Sequence, residues 1–265
     1  MSNSVERETP FVGELAHFGN RFPVLSSEDS RTNRHAKWGK MQEWERESFP
    51  TFRMVVTEIF KSIQGESTYA GLPCVFVRLT GCNLRCHWCD TAYAFHGGQK
   101  MTVDEVLSKV RQLGGKLVEF TGGEPLLQDD VYPLADQLLG EGFEVLVETS
   151  GERYIGRLPP AVVKVVDVKC PGSGEGGTFN TDNLKVLKKK DQIKFIIADE
   201  IDYRFAREFM LQHDLRERVD EVIFSPVFGK LHPRQLAEWI LHDGISVRLG
   251  LQIHKFIWDP DTHGV

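Results

Sequence analysis

A chain of 265 residues with 41% hydrophobic and 26% charged residues can bury one large α/β core, and its composition excludes a disordered or fibrous protein. A net charge of −6, with Lys188-Lys189-Lys190 as the longest basic run, argues against nucleic-acid and membrane partners. Five cysteines, three of them within eight residues, exclude a secreted disulfide framework. With no signal pattern and no apolar run of membrane-span length, the expected location is the cytoplasm.

Residues 1–50 carry mixed charges and little periodicity, with Trp38, Met41 and Trp44 on one side of a short helix. They are expected to form an accessory N-terminal extension, with the core domain at 51–265. Met54–Phe60 alternates as a strand and runs into the polar turn Ser62-Ile-Gln-Gly-Glu66, where Gly65 should supply backbone freedom. Pro73–Leu79 is a second β-prone run. Arg78 lies among its apolar residues, and a buried Arg needs an anion, from an internal ion pair or from a ligand.

Thr102-Val-Asp-Glu105 is a capping box, with Val103, Val106, Leu107 and Val110 following at helical spacing. Strand Lys116–Thr121 ends in Gly122-Gly123-Glu124-Pro125 and precedes a helix at Asp129–Leu139. Strands Phe143–Glu148 and Val162–Val168 lead to a glycine-rich loop, Pro171–Gly177, and a short helix at Asn183–Leu187. Then come strand Ile193–Ile197, helix Tyr203–Leu211, strand Glu221–Phe224, helix Pro233–Leu241 and strand Ser246–Gln252. This alternation predicts βα units on a parallel sheet, curled into a partial (βα)6-like TIM barrel of about six strands. The functional residues should cluster at the C-terminal ends of its strands.

Between the second strand and the capping box, Thr80–Thr91 places Cys82, Cys86 and Cys89 in a C-x3-C-x2-C array. Thiolates hold iron–sulfur clusters, and three ligands to a cubane leave one iron open. The alternative is a zinc knuckle completed by His87, His96, Cys74 or Cys170, although zinc usually takes two separated ligand pairs. The array resembles the signature of the radical S-adenosylmethionine (SAM) superfamily. That resemblance implies a modified partial barrel of the radical SAM type, a [4Fe-4S] cluster on the three cysteines, and SAM on the open iron. Gly122–Pro125 matches the segment that binds the SAM amino group in that superfamily. Glu148–Ser150 and Asp167–Pro171 end the next two strands, where their polar groups are placed to hold SAM.

Further segments narrow the resemblance: Ser62–Glu66, Arg78, Asp90-Thr91, Thr121–Pro125, Phe224-Ser-Pro226 and Gln252-Ile-His-Lys255. From about residue 54 onward the chain is similar to the 7-carboxy-7-deazaguanine synthase family. The resemblance implies a radical SAM lyase of queuosine and 7-deazapurine biosynthesis. It would convert 6-carboxy-5,6,7,8-tetrahydropterin to 7-carboxy-7-deazaguanine with loss of ammonia, as a homodimer, with Mg2+ and an electron donor such as flavodoxin or ferredoxin. Carried over by position, Cys82, Cys86 and Cys89 hold the cluster and Thr91 ligates Mg2+. Ile63, Gln64, Gly65, Glu66, Arg78, Thr121, His254 and Val265 bind the substrate. Gly123, Glu124, Ser150, Lys169, Cys170, Pro171, Ser225, Pro226, Val227 and Phe228 contact SAM. The radical chemistry is carried by SAM, so no side chain is assigned as a catalytic acid, base or nucleophile. The chain has Lys169-Cys-Pro171 where other members carry Ser-Pro-Lys. Two other readings remain open at this point: a glycyl-radical-enzyme activase, which shares the cysteine array, and a zinc-stabilised binding module without catalysis.

Overall fold

The computed structural model describes residues 53–265. The accessory extension, including the short helix through Trp38, Met41 and Trp44, lies outside the described residues. The strands are β1 (Arg53–Ile63), β2 (Pro73–Leu79), β3 (Gln99–Thr102), β4 (Leu117–Gly122) and β5 (Glu144–Thr149). They continue as β6 (Val163–Asp167), β7 (Gln192–Ile197), β8 (Glu221–Pro226) and β9 (Arg248–Leu249). The helices are α1 (Val103–Leu113), α2 (Val131–Gly140), α3 (Glu200–Gln212), α4 (Leu215–Arg218), α5 (Pro233–Asp243) and α6 (His254–Ile257).

All nine strands form one sheet in the order β3-β1-β2-β4-β5-β6-β7-β8-β9. From β2 to β9 every neighbour is parallel, while β1 is antiparallel to both β2 and β3. The parallel run is the predicted partial barrel, carrying an antiparallel edge that alternation alone does not reveal. The capping box forms as expected: Glu105 N donates to Thr102 Oγ1 at 3.2 Å, and Thr102 N donates to the Glu105 carboxylate at 2.7 Å. The amphipathic helices pack Val106, Leu107, Val110, Leu134, Leu138, Ala206 and Leu236 against the sheet's outer face in one continuous apolar core.

The structure departs from expectation in several places. The final strand, expected over Ser246–Gln252, shrinks to Arg248–Leu249, paired with Ile223 and Phe224 of β8. It is an edge strand with a single neighbour, and after it the chain turns inward so that Ile253 N donates to Gly65 O at 3.1 Å. The connections β5–β6 and β6–β7 carry only 3-10 turns, at Ile155–Arg157, Pro171–Ser173 and Thr181–Lys185. Pro159-Pro160 and the glycines of 172–177 disfavour helix there. The short elements β3, α4 and α6 have too few residues to show a period.

Because side chains alternate along a strand, the two faces of the sheet have different chemistry. Cys74, Leu117, Leu146 and Val163 form a small apolar layer on the inner face near the strands' N-terminal ends. Farther along the same face come Glu119, Thr121, Glu148, Asp167 and Lys194. The β1–β2 loop folds over this face, where Thr68 N donates to Gln192 Oε1 at 3.0 Å and Gln192 Nε2 donates to Thr68 Oγ1 at 2.8 Å.

Candidate active site

A cavity of about 600 Å³ opens at the C-terminal ends of the strands, a size suited to a small ligand with its cofactor. One wall comes from the cluster loop after β2, the floor from β4, β5 and β7, and the far wall from the segment after β9.

The cluster loop is fixed by backbone hydrogen bonds rather than by regular structure. Gly81 N donates to Ala94 O at 2.8 Å, Glu124 N to Gly81 O at 2.8 Å, and His87 N to Ser173 O at 2.9 Å. Gly122, with φ +133°, and Gly123 are needed for close approach: a Cβ on Gly122 would overlap Leu79, and one on Gly123 would overlap the Gly81 carbonyl. The sequence suggested room for a ligand at these glycines; the structure shows that they also seat the cluster loop against β4. Cys82, Cys86 and Cys89 are half-buried in this loop, whereas Cys74 and Cys170 are 1% exposed and belong to the apolar layers. The donor set is therefore three thiols without a fourth cysteine, which fits a cluster with one open iron. Burial pushes the Cys82 and Cys86 thiols above their ordinary range.

The zinc reading lacks its completing ligand. His87 turns its Nδ1 to the Gly172 carbonyl at 3.1 Å, and His96 is exposed. Among the described residues, no three His, Cys, Asp or Glu side chains converge as a single-ion site. Thr91 lines the cavity beside Cys89, its Oγ1 3.8 Å from the sulfur. Although it starts a 3-10 turn, its hydroxyl makes no capping bond, so one oxygen is available to a hard cation that keeps several waters.

All eight substrate-assigned positions, Ile63, Gln64, Gly65, Glu66, Arg78, Thr121, His254 and Val265, line the cavity. Gly65 has ordinary φ and is required instead for space: a Cβ there would overlap the His254 ring. His254 begins α6 rather than ending a strand. Arg78 resolves its two expected options in part, since its Nε donates to Glu58 Oε1 at 2.7 Å, across the β1–β2 register. Tyr93 Oη donates to the same oxygen at 2.8 Å.

The SAM-assigned positions divide. Gly123, Ser150, Lys169, Pro226, Val227 and Phe228 line the cavity, but Glu124, Cys170, Pro171 and Ser225 do not. Glu124 is 0% exposed, and its carboxylate already accepts four bonds, from Leu126 N, Thr149 Oγ1, Ser150 N and Ser150 Oγ, at 2.7–3.0 Å. It anchors the segment after β4 to the end of β5, so its side chain has no acceptor left for a ligand. The Cys170 thiol points into the core, Pro171 opens an exposed turn, and Ser225 packs beneath Gly250. Lys169 is bound to Asp167 at 2.7 Å.

The floor holds what the motifs did not disclose. Lys194, 2% exposed, donates to Glu66 Oε2 at 2.8 Å and to Glu148. Burial favours the neutral amine, but the charges of Glu148 and Glu66 outweigh it and hold Lys194 above its usual range. Glu66 is pulled well below the usual carboxylate range. Burial opposes its charge, and Lys194, His254 and the bond from Gln252 overcome that opposition. Glu119 goes the other way, pushed up to about 8 by burial and by the charge of Glu148. The available signal was period-two polarity inside otherwise apolar strands: Glu119 between Val118 and Phe120, and Lys194 between Ile193 and Phe195.

Residues 76–168 match the family model described as the radical SAM superfamily. A 7-carboxy-7-deazaguanine synthase from Koribacter versatilis is 54% identical over 226 residues, covering 80% of this chain and 100% of that protein. The chain belongs to the 7-carboxy-7-deazaguanine synthase family. Another member, from Chlorobaculum tepidum, is 43% identical and covers 79% of this chain and 96% of its own. One from Thermoplasma acidophilum is 40% identical, with coverages of 80% and 100%. The crystal structure of QueE from Escherichia coli superposes with a TM-score of 0.64 at 24% identity, covering 76% of this chain and 94% of that one, which supports the fold. Membership in the family carries a [4Fe-4S] cluster and SAM as cofactors, and the three-thiol loop beside the cavity fits them. Among the described residues, no helix is long and apolar enough to cross a membrane.

Proposed function

We propose that this 7-carboxy-7-deazaguanine synthase family member converts 6-carboxy-5,6,7,8-tetrahydropterin to 7-carboxy-7-deazaguanine with loss of ammonia. The observation that carries this reading is the 54% identity to a synthase over that protein's whole length. The gathering of all eight substrate-assigned residues around one cavity supports it. When bound, the cluster and SAM supply the radical that takes a hydrogen atom from the substrate.

The chain's own part is binding and orientation. Lys194 keeps Glu66 ionised and aimed across the floor, where a carboxylate suits the N–H donors of a pterin edge. Only Nε of Arg78 is engaged among the described residues, leaving its terminal nitrogens to receive the substrate carboxylate. Thr91 offers one oxygen to Mg2+, with water and substrate oxygens completing the shell. Lys169, Ser150 and Val227 form the SAM side of the cavity.

The same proposal takes residues 51–265 as the core domain and 1–50 as an accessory extension, consistent with relatives that cover about four-fifths of the chain. It also includes a flavodoxin or ferredoxin as the reductant and a second copy of the chain as partner. Exposed Phe228 and Phe256, with ring centroids 6.0 Å apart, provide apolar surface for such contacts.

The test is anaerobic incubation of the cluster-loaded, reduced protein with SAM, Mg2+ and the carboxytetrahydropterin. Carboxydeazaguanine is the expected product. Cleavage of SAM without it overturns the reading.

A further inference from the structure

We propose that Glu119 determines specificity in the substrate site: held as a neutral carboxylic acid at the cavity floor, it fixes the Gln64 amide and offers its own proton, from Oε1, to an acceptor atom of the bound heterocycle. This inference rests on the pterin reading of the cavity.

The geometry comes first. Glu119 is 2% exposed and Gln64 is 3% exposed. Gln64 Nε2 donates to Glu119 Oε2 at 3.1 Å, while Gln64 Oε1 accepts from Glu66 N and Ser67 N, both at 3.0 Å. Those two backbone donors settle which end of the amide is oxygen, so the NH2 must face Glu119. No hydrogen bond among the described residues engages Glu119 Oε1. Among the described residues, the sealed side-chain atoms without a partner are Ser62 Oγ and Asp167 Oδ1, so Oε1 is not one of them and opens on the cavity that Glu119 lines.

The charges around Glu119 then decide its form. Cys74 of β2, Glu148 of β5, Lys194 of β7 and Glu66 of the β1–β2 loop face it. Burial pushes the Cys74 thiol far up, so it brings no charge. The cation among these described groups, Lys194, is already bound to Glu66 and Glu148. Burial and the Glu148 charge raise Glu119 to about 8, which keeps its proton in place at neutral pH.

Both residues line the cavity, so the Glu119 O–H is joined there by the Gln64 amide, whose second hydrogen has no partner among the described residues. The C4 carbonyl oxygen of a tetrahydropterin, with two lone pairs, accepts from such a pair. An ionised Glu119 would instead repel that oxygen.

The experiment follows KM and kcat for the carboxytetrahydropterin against pH in the cluster-loaded wild type, Glu119→Gln and Glu119→Ala. Product formation by the wild type is scored first. If there is none, the functional reading itself fails, separately from this inference. With turnover present, wild-type KM is expected to rise about tenfold between pH 7.5 and 9 with little change in kcat. Glu119→Gln keeps a neutral donor and should lose that rise, while Glu119→Ala should have a raised KM throughout. Infrared titration gives a readout independent of turnover: a carboxylic-acid carbonyl band that bleaches near pH 8 and is missing from Glu119→Gln. Parallel KM profiles in wild type and Glu119→Gln overturn the proposal. So does the absence of the infrared band from wild type at pH 7, which needs no variant to fold.

Discussion

The two faces of the sheet answer to different physics. On the outer face, Val118, Phe120, Val145, Val147, Ile193 and Phe195 are all 0–1% exposed in a single apolar core. On the inner face, alternate residues of the same strands carry Glu119, Glu148 and Lys194. Apolar burial stabilises in proportion to area and tolerates many shapes. A buried charge is tolerated only with its partner in place. The strands therefore secure the fold with one set of side chains and hold the ligand site with the other. Damage to either set should be separable in measurement.

Lys194→Met should do most harm, because it leaves Glu66 and Glu148 without their cation. Breaking such a pair costs about 3–5 kcal/mol, and pterin turnover should fall by about 100-fold or more as Glu66 loses its orientation. Denaturant unfolding and kinetics report the two effects. Phe120→Ala empties the outer face instead. It should cost about 3–5 kcal/mol in denaturant unfolding, while the protein that remains folded keeps its KM.

Gly65→Ala is smaller. The added methyl must displace His254, at about 1–3 kcal/mol, and KM should rise about tenfold with kcat less affected. The most gradual effect is a slope. Glu119 is raised from 4.5 to about 8 in the folded chain, so folding takes up a proton between those pH values. Its contribution to stability is present below the lower value and is lost as pH rises through the upper one. Glu66 is shifted downward, so its contribution is lost only as pH falls below about 4.5. Between pH 5 and 8, wild type should therefore lose stability relative to Glu119→Gln by at most about 1.4 kcal/mol per pH unit. Unfolding of both proteins across that range checks it.

The cysteine array, the glycine pair after β4 and the order of strands and helices were legible because each depends on neighbours in sequence. The pairing of Lys194 with Glu66 spans 128 positions, and no local pattern specifies it. Ile245, Val247, Leu249 and Leu251 alternate like a strand, but β8 pairs with only two residues of that stretch. The remainder is drawn to Gly65 by a contact that only the folded chain creates. Glu124 departs from expectation for a related reason: the strand-end motif indicates a ligand site, while the four donors that saturate its carboxylate come from Leu126, Thr149 and Ser150.

The way Gly122 and Gly123 lock the cysteine loop onto β2 and β4 has a consequence for maturation. Small zinc domains collapse when a chelator strips them, because the ion itself organises the chain. Here the backbone around the sulfurs is braced by the sheet, so newly made, iron-free polypeptide should stand ready as a finished mould. Its assembly partners need deliver only inorganic parts.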